Sequence, residues 1–302
     1  MKSLSDFSCC PLAMFFVSAT LAMHVGQLAG QELQQLRSEV RINDPSSPDR
    51  SERDHEDDHC HDDYDSCDDG YSLDEVGAIG YLTGIVATAP YWLPITAVHD
   101  SPSRMGYFPA YPYQHDVGYM LIDPANAGVT TGPRIPFTWA VRARTDYGSN
   151  FSGLDWLGGN LLLEATPRIG IESDLRFYQE ELPAVALDAV DTAWLGDTNV
   201  FIRFAQSETL QMRSGIGVAY LSDREQTDVG FNFTYAGDYY PLKPWVLSGE
   251  FDWGLLGDEQ LLHVRLSTGV QYRGLEAYVG YDLIDIGKFQ SNSLIGGVRL
   301  WF

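Results

Sequence analysis

From Arg134 to the last residue, apolar and polar positions alternate with period two in ten segments. In the closing segment, SNSLIGGVRLWF, Leu294, Gly296, Val298, Leu300 and Phe302 share one face. Ile295, Gly297, Arg299 and Trp301 share the other. Successive side chains of a strand point to opposite sides, so this spacing predicts a strand rather than a helix. The other nine read alike. Phe137, Trp139, Val141 and Ala143 oppose Thr138, Arg142 and Arg144, and Leu275, Ala277, Val279, Tyr281 and Leu283 oppose Glu276, Tyr278 and Asp282. A soluble sandwich also alternates, and the connections discriminate. Tight turns at Pro167, Ser207-Glu208, Pro241 to Pro244 and Arg273-Gly274 alternate with longer stretches at 146–155, 179–198, 221–227, 256–259 and 287–293. Short turns on one side and longer loops on the other are the membrane-barrel arrangement. The expected fold is all-β: an antiparallel up-and-down transmembrane barrel of about ten strands, residues 134–302. In 179–198, Ala184 to Trp194 is expected to form a short helix.

The closing strand, with its terminal Phe302 after Trp301, resembles the last strand of Gram-negative-type outer-membrane β-barrels. The resemblance covers just over half of the chain and matches no characterised family. It implies an outer-membrane location, embedding in the lipid bilayer, and insertion by the outer-membrane assembly machinery acting on Trp301 and Phe302. An even strand number places both barrel ends on the periplasmic side, with the preceding tail in the periplasm or threading the lumen. Trp139, Trp245, Tyr272 and Trp301 are expected at one interfacial girdle, and Phe177, Tyr220 and Trp253 at the other.

Before the barrel the character changes three times. Residues 1–30 read as a signal peptide, with Lys2 in the n-region, an apolar core from Pro11 to Ala22 and small residues at Leu28-Ala29-Gly30 before Gln31. Residues 31–75 form an acidic tail too polar to offset chain entropy, so disorder is expected. Residues 76–98 are apolar and small. They are read as a helix or plug element, or as a strand pair that would raise the count to twelve. Residues 99–133 are a Pro-, Gly- and Tyr-rich linker.

Charge sharpens the picture of the tail. The chain carries a formal charge of -23 and three lysines (Lys2, Lys243, Lys288). Nucleic acid is thereby disfavoured as a partner. From Gln31 to Glu75 there are sixteen acidic residues and four arginines, a net of -12. Within it, His55, His59 and His61 with Cys60 and Cys67 offer zinc or copper donors, in a spacing that fits no closed four-ligand site. The run from Asp65 to Gly70 faintly resembles a calcium loop, but Val76 stands where the bidentate Glu belongs. In an exported protein Cys60 and Cys67 are expected to form a disulfide, and divalent cations are weak partners of the tail. No cofactor is expected.

Chemistry inside the barrel is read from hairpin register. Glu250 is expected opposite Arg265, Arg265 opposite Asp282, and Arg299 beside Asp282, making a lumen charge ladder. Such a ladder either selects ions in a small passive pore or fills a narrow structural barrel. Asp252 is expected opposite His263. An Asp–His pair at a rim orients an imidazole for base catalysis, as in omptin-like or lipase-like hydrolases. The only serines in reach, Ser248 and Ser267, sit too low, so an enzyme is the lesser reading. A third reading is adhesion or anchoring through the tail or the outer loops.

Overall fold

The computed structural model describes residues 31–41, 88, 92, 96, 98–101, 103–114, 118–122, 137–181 and 190–302. Ten antiparallel strands close into one barrel, each paired with its sequence neighbour and β1 with β10. They are β1 (Trp139–Ser149), β2 (Leu154–Ala165), β3 (Ile169–Glu181), β4 (Val190–Gln206), β5 (Leu210–Ser222), β6 (Thr227–Tyr239), β7 (Trp245–Leu256), β8 (Glu259–Tyr272), β9 (Leu275–Ile286) and β10 (Phe289–Trp301). Closure leaves no strand edge unpaired, which hydrocarbon requires of a spanning sheet.

The outer wall is apolar. Leu157, Leu161, Leu163, Ile171, Val200, Ile202, Ile216, Val218, Val229, Phe231, Leu266 and Val279 all face outward. The inner wall is charged. This inversion of a soluble core is the membrane-barrel pattern. At the end that holds Trp139 and the C-terminus, Trp139, Trp245 and Tyr272 stand outward as expected. Trp301 does not. It lies on the inner face with Arg299, 6% exposed, its ring 4.5 Å from that of Tyr119 and 5.2 Å from the Arg142 guanidinium carbon. Only Phe302 of the terminal pair is exposed. At the far rim Trp253 is exposed and Phe177 stacks on Trp194 at 4.8 Å.

The far-rim connections are shorter than expected. β10 already starts at Phe289 and β4 at Val190. Pairing of Phe289 with Ile286, and of Val190 with Glu181, extends the two hairpins. The helix expected over Ala184 to Trp194 is replaced, from Val190 onward, by strand; residues 184–189 lie outside the described set. Apolar outward residues such as Trp194 reward an extended chain that keeps the alternation.

Two N-terminal pieces cap the cylinder at opposite ends. Glu32–Val40 is a helix, α1, where the tail was expected to be disordered. Leu33, Leu36 and Val40 are buried among Leu154, Trp156, Tyr178, Leu256 and Phe289 at the far rim. Their i, i+3, i+7 spacing gives the helix one apolar stripe, and the rim supplies the surface that the stripe needs. Helix α1 thus sits at the end of the cylinder opposite the barrel's own two ends. At the other end Phe108, Tyr113, Tyr119 and Met120 pack on Ala140, Tyr240, Val246 and Trp301. Asp100 clamps this segment. Its carboxylate accepts from Arg168 at 2.6 and 2.9 Å and from the Gln206 backbone N–H at 3.0 Å. Asp100→Ala is expected to free the segment for proteolysis while the barrel stays folded; unchanged cleavage kinetics would show that the aromatic contacts suffice.

Candidate functional site: the charged lumen

The alternation that turns apolar residues outward turns arginines, aspartates and glutamates inward. Arg142, Arg144, Arg176, Arg203, Arg213, Arg265 and Arg299 are each 7% exposed or less. None is left alone. Near the C-terminal end Arg203 donates to Glu164 at 2.5 Å, and its guanidinium carbon lies 5.1 Å from the centre of the Phe108 ring. One layer further in, Asp238 accepts from Arg142 at 2.8 Å, Arg213 at 3.0 Å and Ser248 at 2.6 Å. Arg213 also reaches Glu172 at 2.9 Å, and Arg299 reaches Glu276 at 2.8 Å.

The deepest layer joins Arg144, Arg176, Arg265 and His263 with Asp146, Asp174, Asp252 and Asp282. Arg265 lies 2.8 Å from Asp282 and 3.4 Å from both Asp146 and Asp174. Arg144 pairs with Asp174 at 2.5 Å and stands 3.5 Å from Glu250. Trp156 lies under this layer, with Arg176 at 5.2 Å and Arg265 at 5.5 Å from its ring centre.

Several contacts cross the full lumen. In the ring of ten, β1 faces β6 and β3 faces β8. Arg142 to Asp238 joins the first pair; Arg265 to Asp174 and Arg176 to His263 join the second. Cavities among the described residues include one of about 10 Å³ beside Arg142, Arg144 and Arg265, and one of about 20 Å³ beside Asp174, Asp197 and His263. Each is of the order of a single buried water.

The expected ladder is met in two of its three steps. Glu250 is opposite Arg265 and Arg265 opposite Asp282. Arg299 is opposite Glu276, and Asp282 is opposite Ser293. The two-residue turn at Gly287 and Lys288 sets that register, where the sequence predicts a longer loop over 287–293. Asp252 is opposite His263, as expected. The ring is 4% exposed and sits within the lumen. Nδ1 meets Asp252 at 2.6 Å, and Nε2 meets Asp282 and Arg176, each at 2.9 Å. A general base needs one nitrogen free to face a substrate; here both are engaged. Ser248 is held by Asp238 and Arg299 instead.

Glu250, Asp252 and His263 bring ligand atoms within 4.8 Å of one another. Arg144 on Glu250 and Arg176 on His263 place positive charge where a metal ion would sit, so the donor set does not fit a cation. His55, His59, His61, Cys60 and Cys67 lie outside the described residues. What the alternation alone missed is the diametric pairing, because strand periodicity fixes the face of each residue but not its height on the far wall.

The α1 cap is also electrostatic. Arg37 meets Asp191 at 2.6 Å and Asp223 at 2.7 Å, and Arg41 meets Asp228 at 2.9 Å. Burial raises the Glu32 carboxyl above its ordinary 4.5, and neighbouring Glu180 adds to the rise against hydrogen bonds from Ser152 and Asn150. Burial also acts to raise Asp223. The N–H groups of Gln226 and Glu225 together with Arg41 and Arg37 outweigh it and hold that carboxyl below its ordinary 3.8. A raised acid stabilises the docked state below its unfolded value and loses this as pH rises through the folded one. A lowered acid stabilises it above its unfolded value and loses this as pH falls through the folded one. With Gln31 in peptide linkage, hydrogen-exchange protection of α1, corrected for intrinsic rates, is therefore expected to be greatest near pH 4. A steady rise in protection to pH 7 would contradict this.

No known protein-family model matches the chain, and no curated protein matches its sequence. Solved structures with detectable likeness include outer-membrane barrels. The outer membrane channel DcaP of Acinetobacter baumannii shares 11% identity over 49% of this chain, at a TM-score of 0.28. This chain spans 51% of that one. The N-terminal β-barrel domain of Pseudomonas aeruginosa OprF shares 13% identity over 54% of this chain and 97% of its own, at 0.29. The KdgM porin shares 14% over 54% and 99%, at 0.24. The architecture described above, a closed antiparallel barrel with an apolar exterior, is of the outer-membrane type.

Proposed function

We propose that the chain is a closed structural barrel of the outer membrane, exported by residues 1–30 and inserted through recognition of β10 and Phe302. The reading rests on one observation: arginine–acid pairs join opposite walls of the lumen at two levels. A diffusion pore needs a continuous hydrated path, and side chains bonded across the diameter interrupt it. The paired arrangement also answers the cost of burying charge, since each arginine left alone would be penalised by several kcal/mol. The acidic tail beyond α1 then serves contact with cations or a partner and is not part of the barrel.

The test is chemical access. Asn232 points into the lumen and is fully buried. In a protein with its own cysteines replaced, Asn232→Cys is expected to resist a charged methanethiosulfonate reagent while folded in vesicles and to react fully in urea. Rapid labelling of the folded barrel would establish a hydrated passage and replace this reading with a small pore.

A further inference from the structure

Glu32 and Glu180 are 4% and 1% exposed and stand together at the start of α1. The Glu180 carboxylate accepts the backbone N–H of Glu32 at 2.7 Å and of Leu33 at 2.9 Å. Glu32 accepts from Asn150 at 2.7 Å and Ser152 at 2.8 Å. Among the described residues no lysine, arginine or histidine forms an ion pair with either carboxylate. Two buried acids side by side repel each other, and among the described residues only neutral donors meet them.

The residue before them is Gln31, exposed and just outside the helix, with ψ of 4°. At that ψ its backbone nitrogen eclipses the Glu32 nitrogen at about 2.8 Å, from standard bond lengths. Adding the 2.7 Å bond puts the Gln31 nitrogen within about 5.5 Å of the Glu180 carboxylate. In the uncut chain that nitrogen is a neutral amide. Leu28-Ala29-Gly30, with small residues at Ala29 and Gly30, ends the segment read as an export signal directly before it.

We propose that the counter-charge is the chain's own new N-terminus. Hydrolysis of the Gly30–Gln31 peptide bond by a leader peptidase adds water across it. Gly30 leaves with the carboxylate and Gln31 keeps an α-ammonium, which seats between Glu32 and Glu180 and locks α1 onto the rim. The cap is therefore completed by processing. In the uncut chain the acid pair meets only neutral donors among the described residues. The raised Glu32 carboxyl agrees with a site built for a cation. This inference rests on the export reading of residues 1–30.

Intact mass and N-terminal sequencing of protein isolated from membranes come first. A mature chain that does not begin at Gln31 overturns the export boundary, and the inference with it. The pairing is then tested on three refolded full-length mature forms. One has free Gln31, one has Gln31 cyclised to pyroglutamate with loss of ammonia, and one is extended by Gly-Ser. Trypsin cleavage after Arg37 and Arg41 reports release of α1. The free-amine form is expected to be cut at least about threefold more slowly than the other two. Its α-amine is expected to titrate above the ordinary range of about 7.7 to 8.0. Glu180→Gln with Glu32→Gln should abolish the difference among the three while leaving the barrel intact. Equal cleavage of all three forms, or an α-amine titrating normally, would overturn the pairing even if processing occurs at Gln31.

Discussion

Arg265→Ala is expected to destabilise the barrel by roughly 3–5 kcal/mol, the usual cost of removing one partner from a buried ion pair. The loss falls on three carboxylates at once, since Asp282, Asp146 and Asp174 all lie within 3.4 Å of this guanidinium. Asp174 is on the opposite wall, so the change also cuts a diametric brace. Arg265→Lys should recover only part of the loss. A compact ammonium cannot serve several acceptors as a planar fork does, nor lie flat over Trp156. Urea unfolding in lipid vesicles, followed by tryptophan fluorescence, measures both variants. A midpoint shift worth less than about 1 kcal/mol for Arg265→Ala would mean that water already shares those charges, since exposed pairs contribute that little.

Trp156→Ala is expected to cost about 3–5 kcal/mol, the range for removing a large buried aromatic side chain. Trp156 is 2% exposed and divides the charged layer from the apolar ring that receives α1. Its ring lies against Gly148, where any Cβ would run into it. That glycine is required by the close approach alone, and Gly148→Ala should be destabilising for the same reason. Removing the indole opens a void between guanidinium groups above and leucines below. The void suits neither, and α1 should loosen along with the barrel. The two large changes share contacts, so the Arg265→Ala, Trp156→Ala double variant should lose less than the sum. Strict additivity would show that ring and guanidinium do not depend on each other.

The wall of this molecule was readable from the chain because strand periodicity is local. Leu266 out and Arg265 in follow from position parity, and short turns then fixed Arg265 opposite Asp282 and Asp252 opposite His263. Trp301 shows the limit of reading by residue type. Tryptophan at a strand end suggests an interface, yet parity with Arg299 puts it inside, under Tyr119. Arg299 shows a second limit. One misjudged turn length at 287–293 moved its partner from Asp282 to Glu276. The diametric braces were beyond sequence altogether, because they depend on strand tilt and closure. Helix α1 was hidden by composition. Residues 31–75 are acidic as a whole, but the spacing of Leu33, Leu36 and Val40 needs only the rim to bind the helix.

Conduction through the braced lumen distinguishes a closed barrel from a pore. Single-channel recording in planar bilayers on the full-length mature protein, and on the chain without residues 31–133, addresses this directly. Silence is predicted in both forms, in bilayers where protease protection confirms insertion, because the braces between β1 and β6 and between β3 and β8 remain when both caps are gone. Discrete conductance steps in the full-length protein would contradict a closed barrel. Steps only after truncation would place the barrier in the caps rather than in the charges.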